Sequence, residues 1–156
     1  MPVASAQLID NYAAAPSSIK TAIEGLTEAQ FLHKSGKDEW SIHEIIVHLA
    51  DSEAIGYTRI RKTLAEHEPE LTVYDEAAWA KQLNYQELDR DLALKLFTTL
   101  RSASAALLRT IPPDAWERVG IHAENGRMTI YNLFNIYLEH GEVHRRQIER
   151  VKATLA

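Results

Sequence analysis

The chain has 156 residues, with 17 Lys and Arg against 22 Asp and Glu, for a formal net charge of −5. That balance argues against nucleic-acid partners, because phosphate binding needs a basic surface. Cysteine is absent, which excludes thiolate ligands, cysteine nucleophiles and disulfides, and suits the reducing cytoplasm.

The length favours one domain spanning residues 1–156. A domain of that size buries roughly 70% of its unfolded surface and needs no covalent staple. Residues 1–5 carry neither a basic start nor an apolar h-region, so no signal peptide is expected. The apolar runs are too short to cross a bilayer, so no membrane partner is expected either.

Long stretches rich in Ala, Leu, Glu, Lys and Arg predict helix, and no run alternates cleanly enough to predict a strand. The expected class is therefore all-α, with four main helices. The first runs from about Ala6 to Leu26, with a kink or break expected at Pro16, which has no amide donor. A short capped turn follows at Thr27-Glu28. The second helix starts at Ser41, where Ser41 and Glu44 form a capping-box pair, and reaches about Ala65 before Pro69. A long connection through Val73, Tyr74, Asp75 and Trp79 leads to Tyr85; such a stretch is usually functional or a crossover. The third helix covers about Glu87 to Thr110 and ends before Pro112-Pro113. Gly120 to Gly126 reads as a loop, after which Thr129 caps a fourth helix running nearly to the C-terminus.

The seven histidines carry the functional signal. On a helical wheel Ile130, Leu133, Phe134, Tyr137, Gly141, Ile148, Val151 and Leu155 share one arc of the fourth helix. His144 lies near the middle of that arc and His140 inside its edge, while Glu139, Glu142, Arg145, Arg146 and Glu149 lie elsewhere. The i, i+4 spacing stacks the two imidazoles one turn apart, where they can chelate one metal ion. Two core histidines satisfied by hydroxyl or carboxylate groups would give the same pattern. In the second helix His48 flanks the arc of Ile42, Ile45, Ile46, Leu49, Gly56, Ile60 and Leu64, and could reach a neighbouring helix. Glu53 falls inside that arc, which suggests a buried acid paired with Arg59 or Arg101, or else a group that orients a metal-binding histidine or acts as general base. Asp51 is a second candidate for orienting a histidine, or else a solvated acid. Tyr74 and Trp79 are candidates to wall a pocket. His122 is a remote candidate for approaching a metal. His33, His43 and His67 read as surface or loop residues. The zincin motif is excluded, because His140-Gly141-Glu142-Val143-His144 turns its glutamate to the far side of the helix.

Three pieces of the chain resemble the DinB/YfiT-like superfamily, whose members are classed as metal-dependent enzymes, and its YfiT-like, bacillithiol transferase-like branch. Glu39-Trp40-Ser41 followed by His48-Leu49-Ala50-Asp51-Ser52 is similar to that family's second-helix signature. Glu68-Pro69-Glu70 through Tyr74-Asp75-Glu76-Ala77-Ala78-Trp79 is similar to the YfiT branch, and Tyr137, His140, His144 and Ile148 match its His-x-x-x-His ending. The resemblance covers the chain from about Tyr12 onward. It implies a four-helix bundle with a crossover between the second and third helices, usually a homodimer. It also implies one nickel or zinc ion per chain, held at positions that fall on His48, His140 and His144. Members include thiol transferases using bacillithiol, mycothiol-dependent isomerases and glutathione-dependent proteins, and the YfiT branch is labelled hydrolase. The chain departs from the pattern at Glu142 and Val143, where YfiT-like relatives often have further histidines.

The expected function is thus metal-activated attack by water, or by a low-molecular-weight thiol, on a small electrophile. A regulatory or purely structural metal bundle is the alternative.

Overall fold

The structure, a computed structural model, describes residues 2–155. The helices are α1 (Ala6–Ile23), α2 (Glu28–Leu32), α3 (Ile42–Ala65), α4 (Glu76–Gln82), α5 (Arg90–Leu108) and α6 (Ile130–Lys152). Four of them, α1, α3, α5 and α6, build the bundle. Helix α1 packs on α5 and α6, and α3 packs on the same two, so α1 and α3 stand diagonally opposite. The segment between α3 and α5 crosses over through α4 and a 3₁₀ turn at Tyr85–Glu87.

The caps form where the sequence places them. The Ser41 and Thr129 side chains each accept the backbone N–H of the third helical residue, and Glu44 and Asn132 close the two boxes reciprocally. Of the kink or break expected at Pro16, the break does not occur: α1 runs through it. A proline at 16 leaves the Tyr12 carbonyl without its helical donor, and the Arg101 guanidinium supplies one instead, with Nη1 3.1 Å from that oxygen.

The expectation of no strands is corrected locally. Three short strands, β1 (Glu70–Leu71), β2 (Val119–His122) and β3 (Gly126–Thr129), form a sheet in the order β1-β2-β3. Strands β2 and β3 are antiparallel, β1 and β2 parallel. The expected loop from Gly120 to Gly126 is this hairpin, turned by Gly126 at φ 68°. Its His122 Nδ1 accepts the backbone N–H groups of Glu124 and Asn125 at 3.2 and 3.3 Å, which closes the turn.

The apolar interior comes in two large parts and a small third one of Val47, Ala80 and Tyr85 under the crossover. One large part gathers Ile9, Tyr12, Ile60, Trp116, Phe134 and Tyr137; the other gathers Ile19, Ile45, Ile46, Phe97, Ile148 and Val151. Between these two along the bundle helices lie Glu53 on α3, Arg101 on α5, and His140 and His144 on α6, with His48 of α3 brought against the α6 pair. The bundle therefore carries a polar belt at mid-height.

Candidate metal centre

Helix α3 supplies His48 and α6 supplies His140 and His144. His48 is fully buried, and the α6 pair is half-buried. The three Nε2 atoms form a triangle with edges of 3.1, 3.1 and 3.0 Å. Three like atoms at that spacing cannot all be hydrogen-bonded to one another. A hydrogen bond needs one donor and one acceptor, and an odd ring cannot alternate them. His144 Nδ1 donates to Gln147 Oε1 at 2.7 Å, which leaves the lone pair of His144 on the Nε2 facing the triangle. The Nδ1 atoms of His48 and His140 are buried without a hydrogen-bond partner.

The electrostatics keep these rings neutral. Burial, helped by the neighbouring His144, pushes the His48 pKa down to about 3. Burial pushes His140 down to about 2, with His144, His48 and Arg101 adding to the effect. Burial also lowers His144, against the opposing hydrogen bond to Gln147. Neutral imidazole is the form that ligates a metal. Bonds of roughly 2.0–2.1 Å from each nitrogen to one ion fit a triangle of this size. The donor set thus suits a divalent ion of intermediate softness, which would take the lone pairs of all three Nε2 atoms at once.

Trp40 covers one side of the triad, with its ring centroid 4.7 Å from that of His48 and 6.5 Å from that of His144. Glu76, the first residue of α4, brings a carboxylate oxygen to 3.4 Å from His48 Nε2. The neutral state of His48 makes this a polar contact and not an ion pair.

Asp51 and Glu53, the candidates for orienting a histidine, are engaged elsewhere. Asp51 accepts the Tyr85 hydroxyl at 2.5 Å. Glu53 accepts Arg101 Nε at 2.7 Å and the Tyr12 hydroxyl, in a pair closed to solvent. The closer of its two expected arginine partners, Arg101, lies in the core, while Arg59 turns outward to the Thr72 carbonyl and the Tyr137 hydroxyl.

Tyr74 and Trp79 form an edge-on pair at 4.8 Å on the crossover. His122 is committed to the hairpin turn, and His33 bonds to Thr154 Oγ1 at 3.1 Å. His67 is exposed. His43, expected at the surface, is buried. Its Nε2 donates to the Leu88 carbonyl at 2.8 Å, and its Nδ1 lies 3.1 Å from Arg90 Nη1. Glu142 pairs with Arg145 and Arg146 on the outer face of α6.

Sequence reasoning passed over Gln147, Trp40 and Glu76 as neighbours of the triad. Gln147 lies three residues after His144, a spacing that puts two side chains on one helical face, so it was open to detection. The other two contacts arise only from tertiary docking.

Fold and cluster together define a helical-bundle protein in which three histidines lie close enough together to hold a metal ion. The chain belongs to the DinB superfamily, whose family model matches residues 11–148. It is 31% identical over 133 residues to a putative metal-dependent hydrolase of Oceanobacillus iheyensis, covering 85% of this chain and 77% of that one. It is 29% identical over 130 residues to YfiT of Bacillus subtilis, which bears the same designation, covering 83% and 73% of the two chains. The solved structure of YfiT, described as a probable metal-dependent hydrolase with an unusual four-helix bundle topology, superposes with a TM-score of 0.88. That match has 27% identity and covers 94% of this chain and 85% of YfiT. Among the described residues, no helix is long and apolar enough to cross a membrane.

Proposed function

We propose that the protein is a metal-dependent hydrolase acting on a small electrophile, with one divalent ion, nickel or zinc, held by His48, His140 and His144. The carrying observation is the convergence of three Nε2 atoms within 3.1 Å of one another. When bound, such an ion supplies Lewis acidity and makes water or a thiol a stronger nucleophile near neutral pH.

The chain's own residues do the rest. Helix α6 fixes two imidazoles one turn apart, and α3 sets the third against them. Gln147 fixes the tautomer of His144, and Trp40 shields one side of the cluster from water. Three neutral ligands leave the full double charge of the ion in place and positions open on it, the arrangement of a catalytic and not a closed structural site. A low-molecular-weight thiol could take the place of water there, because thiolates are good ligands for both metals.

The test measures metal content after reconstitution for the wild type and for His48→Ala, His140→Ala and His144→Ala. Alongside it, ester, amide and epoxide substrates are turned over with and without added thiols. One tight ion per wild-type chain, lost in each variant together with turnover in water alone, is the expected result. Turnover only with thiol would reassign the reaction to transfer, and wild-type metal retention in all three variants would remove the site.

A further inference from the structure

The crossover delivers one carboxylate to the histidine triad. Glu76 opens α4, whose N-cap Asp75 accepts the Ala78 N–H at 2.9 Å. Its Oε2 lies 3.4 Å from His48 Nε2, the same nitrogen that faces His140 and His144. The Glu76 side chain is 58% exposed, whereas His48 is sealed, so the carboxylate sits on the solvent side of the cluster. An acid in the first turn of a helix is favoured by the helix dipole whatever its rotamer. That explains why position 76 is acidic but not why its oxygen lies against a buried imidazole nitrogen. Among the described residues, no Lys or Arg forms an ion pair with it.

The backbone at Glu76 is held against the turn of α3 that carries His48. Ala80 of α4 and Tyr85 pack on Val47, the residue before His48, with Trp40 and Trp79 at the edge of this cluster. The Tyr85 hydroxyl bonds to Asp51, one turn further along α3. The Tyr74–Trp79 pair braces the segment on either side of Glu76. Glu76 thus has an anchored backbone and an exposed carboxylate. In this structure the carboxylate stands beside the ring of three nitrogens and not within it.

Carboxylate oxygen is a good ligand for the ions a histidine triad selects. We propose that Glu76 is a fourth, exchangeable ligand of the metal centre, occupying an open position at rest and yielding it to substrate. This rests on the reading of the triad as a metal site. The division of labour follows from the fold: three ligands fixed by the bundle helices, and one on the crossover that leaves by side-chain rotation alone.

The experiment loads wild type, Glu76→Gln, Glu76→Ala and His140→Ala with cobalt(II). It records the visible d–d absorption and the Co(II) dissociation constant by competition with a chromophoric chelator. Both Glu76 variants should still bind one cobalt, at least tenfold more weakly, with altered band positions or intensities. His140→Ala should lose tight binding. Glu76 variants matching the wild type in both affinity and spectrum would overturn the proposal and leave the triad standing. A wild type that binds no cobalt would overturn the triad reading and this proposal with it. Glu76 is exposed, so its replacement leaves the core packing in place, and far-ultraviolet circular dichroism of each variant checks this directly.

Discussion

Arg101 and Glu53 form an ion pair in the centre of the bundle, with Nε and Oε2 2.7 Å apart and both side chains closed to solvent. The guanidinium also donates to the carbonyls of Tyr12 and Tyr137, while the Tyr12 hydroxyl donates to Glu53. One arginine on α5 thereby joins α1, α3 and α6. Glu53 lies five residues after His48, and Tyr137 three before His140, so the same contacts fix the two helices that carry the triad.

Removing one member of a buried pair leaves the other charged and unpaired, at a cost of about 3–5 kcal/mol. Arg101→Met should therefore lower the urea-unfolding free energy by that amount. Arg101→Met combined with Glu53→Leu should recover a substantial part of it, because no orphan charge remains. A single variant within about 1 kcal/mol of wild type would mean that the pair does not hold the bundle.

Gly56 on α3 meets the Tyr137 ring so closely that a Cβ there would lie 2.5 Å from two ring carbons. Exchanging a helical glycine for alanine gains about 1 kcal/mol in propensity. Overpacking costs about 1–3 kcal/mol, and here the obstacle is a buried aromatic ring, so the clash wins. Gly56→Ala should lower the unfolding midpoint, and it should weaken metal binding as well, because Tyr137 lies one turn before His140. A more stable Gly56→Ala would contradict the tight α3–α6 contact.

The histidine triad was legible in the sequence because imidazoles at i and i+4 replaced apolar residues on a periodic arc, His48 flanked the arc of its own helix, and the family resemblance fell on the same three positions. The caps were legible because a capping box is local chemistry. The β2–β3 hairpin was not. In β2 the buried positions are Gly120 and His122, whereas Val119 and Ile121 are only partly covered, so the polarity pattern is inverted. Gly120 is buried because Leu71 and Thr63 approach it within 2.6–2.7 Å of where a Cβ would sit, a contact made across the fold. Pro16 likewise reads as a break until the distant Arg101 takes its orphaned carbonyl. His43 reads as a surface residue until the segment bearing Leu88 and Arg90 folds over it.

The buried imidazoles tie stability to pH. In the unfolded chain each takes up a proton near its ordinary value of 6.5, whereas the folded His48 and His140 stay neutral down to about 3 and about 2. Across that window the unfolded state binds more protons, so stability is present above pH 6.5 and falls as the pH drops. Each such histidine contributes about 1.4 kcal/mol per pH unit. Urea midpoints of the metal-free protein should fall steadily between pH 6.5 and 5, above the range where most carboxylates titrate. His140→Leu should reduce the slope. A flat profile would count against a neutral triad.

Gln147 offers the sharpest separation between packing and ligand orientation. Its Oε1 holds the Nδ1 proton of His144, so the lone pair of that ring faces His48 and His140. Gln147→Leu keeps a side chain of similar size but gives up the hydrogen bond. His144 would then resemble His48 and His140, whose Nδ1 atoms have no partner, and its ring could adopt either tautomer. Loss of such an orienting partner typically weakens metal binding by about 10–100-fold. Gln147→Glu should do the opposite, because a carboxylate accepts the same proton more strongly and raises the basicity of the ligating nitrogen. Metal affinity in the order Glu, Gln, Leu, with unfolding midpoints of the metal-free proteins nearly equal, would assign Gln147 to orientation. Equal affinities across the series would leave it a surface residue of α6.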